Sequence, residues 1–533
     1  MKKFIPFQMS AMTVLLLLSL ASCKKEFDSS GGYNTNNNNY GYGGGSYGGG
    51  YGGNYGSNTT FYALVGGLGL DRYSTSDPSS LKASVQITGL QTGETILGID
   101  FRPATGQLYG VGSTSRIYVI NPSTGSARMI GNTPFSPIIA GTQVSFDFNP
   151  TVDRIRLVTN TGQNLRLNPE TGQVVAVDGS INGQSGADIE GVAYYNNKAG
   201  ATTTTLYDID VFSDKLFIQN PPNAGTLAVV GSLNVNVEGQ GGFDIASYNE
   251  ALAIFKINGN SSLLQIDLNT GNAQIKATYS KNYTGIAIPT QSVAYAVSSD
   301  NNLLIFSLSN SYSNYSYNGF GDNNVVLKPI TGLQAGESII GLDMRPLNGQ
   351  LYGLGSTGKI YTLNTSSGVA TLAFALSVPL SGNSFGFDFN PVVDRIRIVS
   401  NTGQNLRFNP NDGTTTVDGN LNPGTPSITA VAYNNNFAGT TSTTLFAIDH
   451  NTDKLYQINP PNAGTLVLIG SLGINISSAN GFDYGGTSGR AYGVFNTGYS
   501  TKIYRIDTVT GQATETGSLG SSIINGFTIG LGF

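Results

Sequence analysis

Between Gly98 and Gly125 the chain reads GIDFRPATGQLYGVGSTSRIYVINPSTG. Three short runs, Ile99 to Phe101, Leu108 to Val111 and Ile117 to Ile120, alternate large apolar residues with Gly, Asp or Ser, the period-two pattern of strands with one buried face. Turn-forming clusters, Pro103 to Gly106 and Asn121 to Gly125, separate them. Most of the chain after residue 60 is this unit written again, and a repeated all-β unit of this length predicts propeller blades.

The innermost strand of each blade carries a short signature. It reads GIDF at 98, SFDF at 145, GVAY at 191, GFDI at 242 and GIAI at 285. It returns as GLDM at 341, GFDF at 386, AVAY at 430, GFDY at 481 and GFTI at 526. Longer strings repeat at the same offset: DFNPTVDRIRLVTNTGQNLRLNP at 147 returns as DFNPVVDRIRIVSNTGQNLRFNP at 388. The fold class is therefore all-β, a tandem pair of five-bladed propeller modules over residues 61–289 and 290–533. FYALV at Phe61 matches a second strand, so the first blade lacks an inner strand, which Gly285 to Ile288 can supply; Gly526 to Leu531 can serve the second module. Such closure leaves no sheet edge open. The alternative is one ten-bladed ring. The link Pro289 to Val293 spans at most about 17 Å, so two rings would have to lie in contact.

The N-terminus is organised differently. Lys2 and Lys3 precede a leucine-rich run that ends in Leu20-Ala21-Ser22-Cys23, and the run is too short to span a membrane well. Residues 1–22 read as a signal peptide, and Leu-Ala-Ser-Cys resembles the bacterial lipobox. Cys23 is the single cysteine in the chain, at the position where lipid would be attached, and no internal disulfide is open to it. Lys24-Lys25-Glu26 resembles the export signal of Bacteroidota surface lipoproteins, which implies a lipid-anchored protein of the outer membrane or cell surface, with the membrane as a partner. Residues 23–60 are mostly Gly, Tyr, Asn and Ser, with no apolar face to bury, and read as a disordered tether. About thirty such residues reach roughly 30 Å.

Composition narrows the functional classes. Charged residues make up 11% of the 533, and the formal charge is −5, so a basic nucleic-acid footprint is missing. The one histidine, His450, leaves no His-based zinc cluster within the chain and argues against a Ser-His-Asp triad. Paired carboxylates would suffice for a glycosidase.

The order GIDFRPATGQLYG, FDFNPTVDRIR, NTGQNLRLNP, TTLYDID and NPPNAGTL, present twice, resembles the bacterial family called domain of unknown function 4394. The resemblance implies the module boundary and closure of each module on itself. It carries no activity, cofactor or catalytic residue across.

Two sets of residues could carry chemistry. Three inner strands per module place Asp at one point: Asp100, Asp147 and Asp244, then Asp343, Asp388 and Asp483; Ala193, Ala287, Ala432 and Thr528 take the other positions. Inner strands converge on the axis, so each trio could meet a hard cation such as Ca²⁺, which takes about six to eight oxygens. The competing expectation is that each Asp accepts backbone amides and ties blades together. Arg154, Arg156 and Arg166, repeated as Arg395, Arg397 and Arg407, are expected to cluster, either on local acids (Asp147, Asp153, Asp178) or on an anionic ligand such as a uronic-acid sugar. Acids repeated so evenly suit a scaffold better than one asymmetric catalytic centre. The expected function is a non-catalytic scaffold for a glycan or protein ligand, Tyr194, Tyr195 and Tyr433 being the first contacts to test. The alternative is a carbohydrate-active hydrolase or lyase using the axial carboxylates.

Overall fold

The computed structural model describes residues 58–308 and 325–533. The expected signal peptide, Cys23 and the expected tether up to residue 57 lie outside them. Among the described residues all regular structure is β apart from two single turns of 3₁₀ helix, Pro222–Ala224 and Pro461–Ala463. Ten four-stranded antiparallel sheets account for the strands.

Each ring closes as the repeat predicts. Thr60–Val65 takes its inner neighbour from Tyr283–Ala287, with Tyr62 opposite Ala287 and Leu64 opposite Gly285. Ala294–Ser298 takes its inner neighbour from the C-terminal Ile524–Ile529, with Tyr295 opposite Thr528. In ring 1 the inner strands Ile96–Phe101, Val144–Asn149, Ile189–Tyr194, Glu238–Ile245 and Tyr283–Ala287 touch in that order, and the last returns to the first. Ring 2 makes the same circuit through Ile339–Met344, Phe385–Asn390, Ile428–Tyr433, Asn480–Tyr484 and Ile524–Ile529. The chain therefore forms two five-bladed propellers rather than one ten-bladed ring.

Blades are held by apolar wedges between neighbouring sheets. Leu64 and Leu70 of one blade pack with Ile96, Ile99, Phe101, Leu108 and Tyr118 of the next, all buried. The glycine that opens most signatures is a consequence of convergence on the axis. A Cβ on Gly98 would stand 2.9 Å from Phe146 Cβ, and one on Gly481 would stand 2.2 Å from Phe527 Cβ, so only glycine lets the inner strands approach this closely.

The rings lie in contact, as the short link requires. Tyr295 donates to the carbonyl of Ala104 at 2.9 Å, and the Gly532 amide donates to the Thr105 carbonyl at 2.8 Å. At this junction Arg102, with no exposed surface, donates Nε to Asp153 at 2.9 Å and Nη2 to Glu170 at 3.1 Å, and Nη1 lies 3.5 Å from the Gly349 carbonyl of ring 2.

Candidate functional site

Strand alternation buries Ile99 and Phe101 in the wedges and turns Asp100 toward its neighbours on the axis. In each ring the three aspartates, from inner strands one, two and four, bring carboxylate oxygens within 4.8 Å of one another, and all six residues are buried. None of the ion pairs among the described residues involves any of them.

Each aspartate also ties two blades. Asp100 accepts the amide of Phe101 at 2.7 Å and that of Phe148 in the next blade at 2.9 Å. Asp147 accepts Tyr194 N at 3.1 Å, and Asp244 accepts Ile245 N at 2.6 Å and Ile288 N at 2.5 Å. Ring 2 repeats the scheme: Asp343 holds Met344 and Phe389, Asp388 holds Tyr433, and Asp483 holds Tyr484 and Ile529. The amides favour the charged carboxylate; burial opposes it more strongly and raises all six above the ordinary carboxylate range, Asp244 and Asp483 to about 7.

The rings differ at one atom on the axis. In ring 2 the Thr528 hydroxyl lies 2.9 Å from both Asp343 Oδ1 and Asp483 Oδ2. One hydroxyl proton serves only one of these carboxylates, so when the trio holds no cation the other contact needs a proton on the second carboxyl. In ring 1 Ala287 takes this position. There Asp147 Oδ2 has no hydrogen-bond partner.

The arginines separate by depth. Arg156 is buried and donates to Asn164 at 2.7 Å, Asp178 at 2.6 Å, Asn223 at 2.7 Å and the Tyr194 hydroxyl at 3.3 Å. Arg397 makes the same four bonds to Asn405, Asp418, Asn462 and Tyr433. Asn223 and Asn462 come from the next blade, so the guanidinium stitches a seam. Arg166 and Arg407 grip the same Asp178 and Asp418 from nearer the surface. Arg154 and Arg395 are half-exposed and donate to backbone carbonyls, Arg154 to Asp153 at 2.8 Å and Arg395 to Val393 and Asp394 at 3.1 and 2.9 Å. In ring 2 a groove of about 290 Å³ runs beside them, lined by Arg395, Arg407, Val393, Pro460 and Pro461.

Three expectations change. Tyr194 and Tyr433 are buried and bonded to Arg156 and Arg397 rather than standing at the surface, although Tyr433 forms part of the wall of the ring 2 groove. Asp147 stands opposite Arg156 in the ladder yet accepts a backbone amide, while Asp153 pairs with Arg102. The buried Arg102 and its counterpart Arg345 escaped the sequence reading; the Arg-Pro that follows the inner strand in both modules was the available signal. His450 Nδ1 lies 3.1 Å from Ser427 Oγ and 3.2 Å from the Ser427 carbonyl. A ring nitrogen that donates to that carbonyl is not free to act as a base toward the hydroxyl.

The model for the Domain of unknown function (DUF4394) matches the chain twice, over residues 69–287 and 321–528. The chain belongs to the DUF4394 family. No curated protein sequence matches it. Among solved structures this DUF4394 chain is similar to PorZ, an essential bacterial surface component of the type-IX secretion system of Porphyromonas gingivalis, at 14% identity and a TM-score of 0.24 over 86% of the chain. It spans 57% of that protein's length. A protein of unknown function from Bacteroides thetaiotaomicron matches at 13% identity and a TM-score of 0.30, covering 72% of this chain and 88% of that one. The extracellular domain of a putative hybrid two-component system from the same organism matches at 13% and 0.24, covering 86% and 66%. Among the described residues no helix is long and apolar enough to cross a membrane.

Proposed function

We propose that this chain is a non-catalytic binding scaffold, held at the outer membrane or cell surface by lipid on Cys23, and that it docks an acidic polysaccharide. The observation that carries the non-catalytic part is the state of the axial aspartates. All six are buried and each accepts a backbone amide from the next blade, so they serve the wedge contacts rather than a substrate. A general acid or nucleophile has to reach its substrate.

The ring 2 groove favours an acidic sugar as the partner. Arg395 faces it without a carboxylate bonded to it, Arg407 stands beside it about one-third exposed, and Pro460 and Pro461 supply an apolar wall. A planar guanidinium suits a uronate carboxylate, with which it can form two parallel hydrogen bonds. Each ring has one acid near this arginine: Glu170, matching Asn411, near Arg154 in ring 1, and the exposed Asp412, matching Thr171, near Arg395 in ring 2.

A glycan array with uronate-containing polysaccharides tests the reading. Binding is expected to be lost in R395A with the fold intact, and no shortened product is expected to be released. Turnover of a polysaccharide that D147N abolishes in a folded protein would replace the scaffold with the hydrolase or lyase.

A further inference from the structure

The axial trios of the two rings have the same three carboxylates and different fourth positions. Ring 2 fills that position with the Thr528 hydroxyl, which neutral hydrogen bonding can satisfy. Ring 1 has the Ala287 methyl group instead, so no hydroxyl bridges Asp100 and Asp244. Two further oxygens stand unused there. Asp147 Oδ2 has no partner, with the residue 1% exposed. Asn197, also 1% exposed, hydrogen-bonds Asp244 and leaves its own Oδ1 without a partner, as Asn436 does beside Asp483 in ring 2, so the asymmetry rests on Asp147 Oδ2 and Ala287.

The difference continues along the axis. Where their five inner strands begin, both rings leave a space of about 10 Å³, large enough for about one water-sized body, and the ring 1 space is the more acidic. Glu190 and Ser145 line it, and Glu190 Oε2 and Ser145 Oγ have no partner; neighbouring Thr284 Oγ1 has none either. The matching ring 2 positions hold Thr429, Gly386 and Asn525, none of them acidic, and Thr429 is bonded to Asn480 at 2.7 Å.

We infer that ring 1 binds one hard divalent cation on its axis, held by Asp100, Asp147 and Asp244 with the Asn197 amide oxygen, and that ring 2 binds none because Thr528 occupies the place. An all-oxygen set with three carboxylates selects Ca²⁺ or Mg²⁺ over metals that prefer nitrogen or sulfur. The cation neutralises charges that protein groups leave uncompensated.

The test uses the full-length protein in detergent, stripped with chelator and dialysed against about 1 mM Ca²⁺ or Mg²⁺, a concentration range in which extracellular sites fill. Elemental analysis is expected to find one ion per chain, and its addition to raise the melting temperature by several degrees. A287T is expected to lose the ion while keeping all three carboxylates, and D147N to lose it as well. T528A opens ring 2 and is expected to take a second ion, a gain that misfolding cannot imitate. No bound ion and an unmoved melting temperature with either metal would overturn the proposal. So would two ions in the unaltered chain, or an ion retained by a folded A287T.

Discussion

Ring 1 carries Glu170, Glu190, Asp208 and Ala287 where ring 2 carries Asn411, Thr429, Ala447 and Thr528. The blades, wedges and arginine seams around these positions are the same. Ring 2 has neutral groups at these positions, and the polar ones are bonded: Asn411 to Arg345, Thr429 to Asn480, and Thr528 to Asp343 and Asp483. Ring 1 keeps acids: Asp208 has no exposed surface and neither carboxylate oxygen has a partner, and Glu190 is 3% exposed. A duplicated module shows here which polar positions the fold needs, because those are the ones filled alike in both copies. The positions that differ are free of the folding requirement, and in ring 1 they collect on or near the axis and at the ring junction.

The largest break in the symmetry is expected at Arg102. Removing it leaves Asp153 buried without its ion-pair partner and takes the nearer counter-charge from the half-buried Glu170, a loss of about 3–5 kcal/mol. Arg345 holds Asp394 at 2.8 Å, but that side chain is 24% exposed, and Asn411 needs no counter-charge. R345A should therefore cost less, about 1–3 kcal/mol. Chemical denaturation of the two variants gives the ordering; equal losses would mean that the ring junction adds nothing to the Arg102 cluster.

Asp208 gives a change of opposite sign. Burial raises its carboxyl well above the ordinary range, against the pull of Arg156, so it is held as the neutral acid with no acceptor for its proton. Replacing it with the residue ring 2 uses, D208A, should stabilise the protein by about 1–3 kcal/mol. The reciprocal A447D should destabilise by a similar amount. A drop in melting temperature for D208A would show that the carboxyl has a partner that the hydrogen-bond pattern misses.

Glu190 sharpens the comparison through pH. Burial, and after it the charge of Asp188, raise its pKa to about 8; Asp188 in turn faces Asp210. In the unfolded chain a glutamate titrates near about 4.3. The folded state therefore binds the proton more tightly, and the stability this contributes is full below about pH 4 and declines as the pH rises through about 8. E190Q removes this dependence. Its melting temperature relative to the parent should be near zero difference at about pH 4 and a few degrees higher at about pH 9 in chelator. A constant difference across that range would place the charge elsewhere.

What was legible in the sequence follows the same division. Blade number, the donated inner strands and the aspartate trios show because period-two alternation and the ten signatures are local and repeated. The trios' double role did not show, since the amide that each carboxylate accepts belongs to a neighbouring blade about 45 residues along the chain, as Phe148 does for Asp100. Arg102 pairs with Asp153 across a similar gap, and nothing local to either residue announces it. Tyr194 and Tyr433 look like surface aromatics beside asparagines because a strand's pattern does not say which of two packed sheets will cover its polar-looking face. The exchange of Ala287 for Thr528 was visible as a difference, but its meaning depends on the two carboxylates that the hydroxyl bridges.

The smallest expected effect lies where the rings agree. Arg166 donates Nε and Nη2 to Asp178 at 2.7 and 2.9 Å, and Arg407 donates to Asp418 at 2.6 and 2.9 Å. The two guanidinium groups are about equally exposed, at 32% and 35%. In each case the buried Arg156 or Arg397 still neutralises the aspartate after the outer arginine is removed. R166A and R407A should each lower stability by about 1 kcal/mol or less, and by the same amount, as exposed pairs do. Equal small losses measured by thermal unfolding would fix the seam as a shared structural device. If R407A alone also loses binding to an acidic polysaccharide, the rings differ in what their surfaces meet, although the same bonds hold both together.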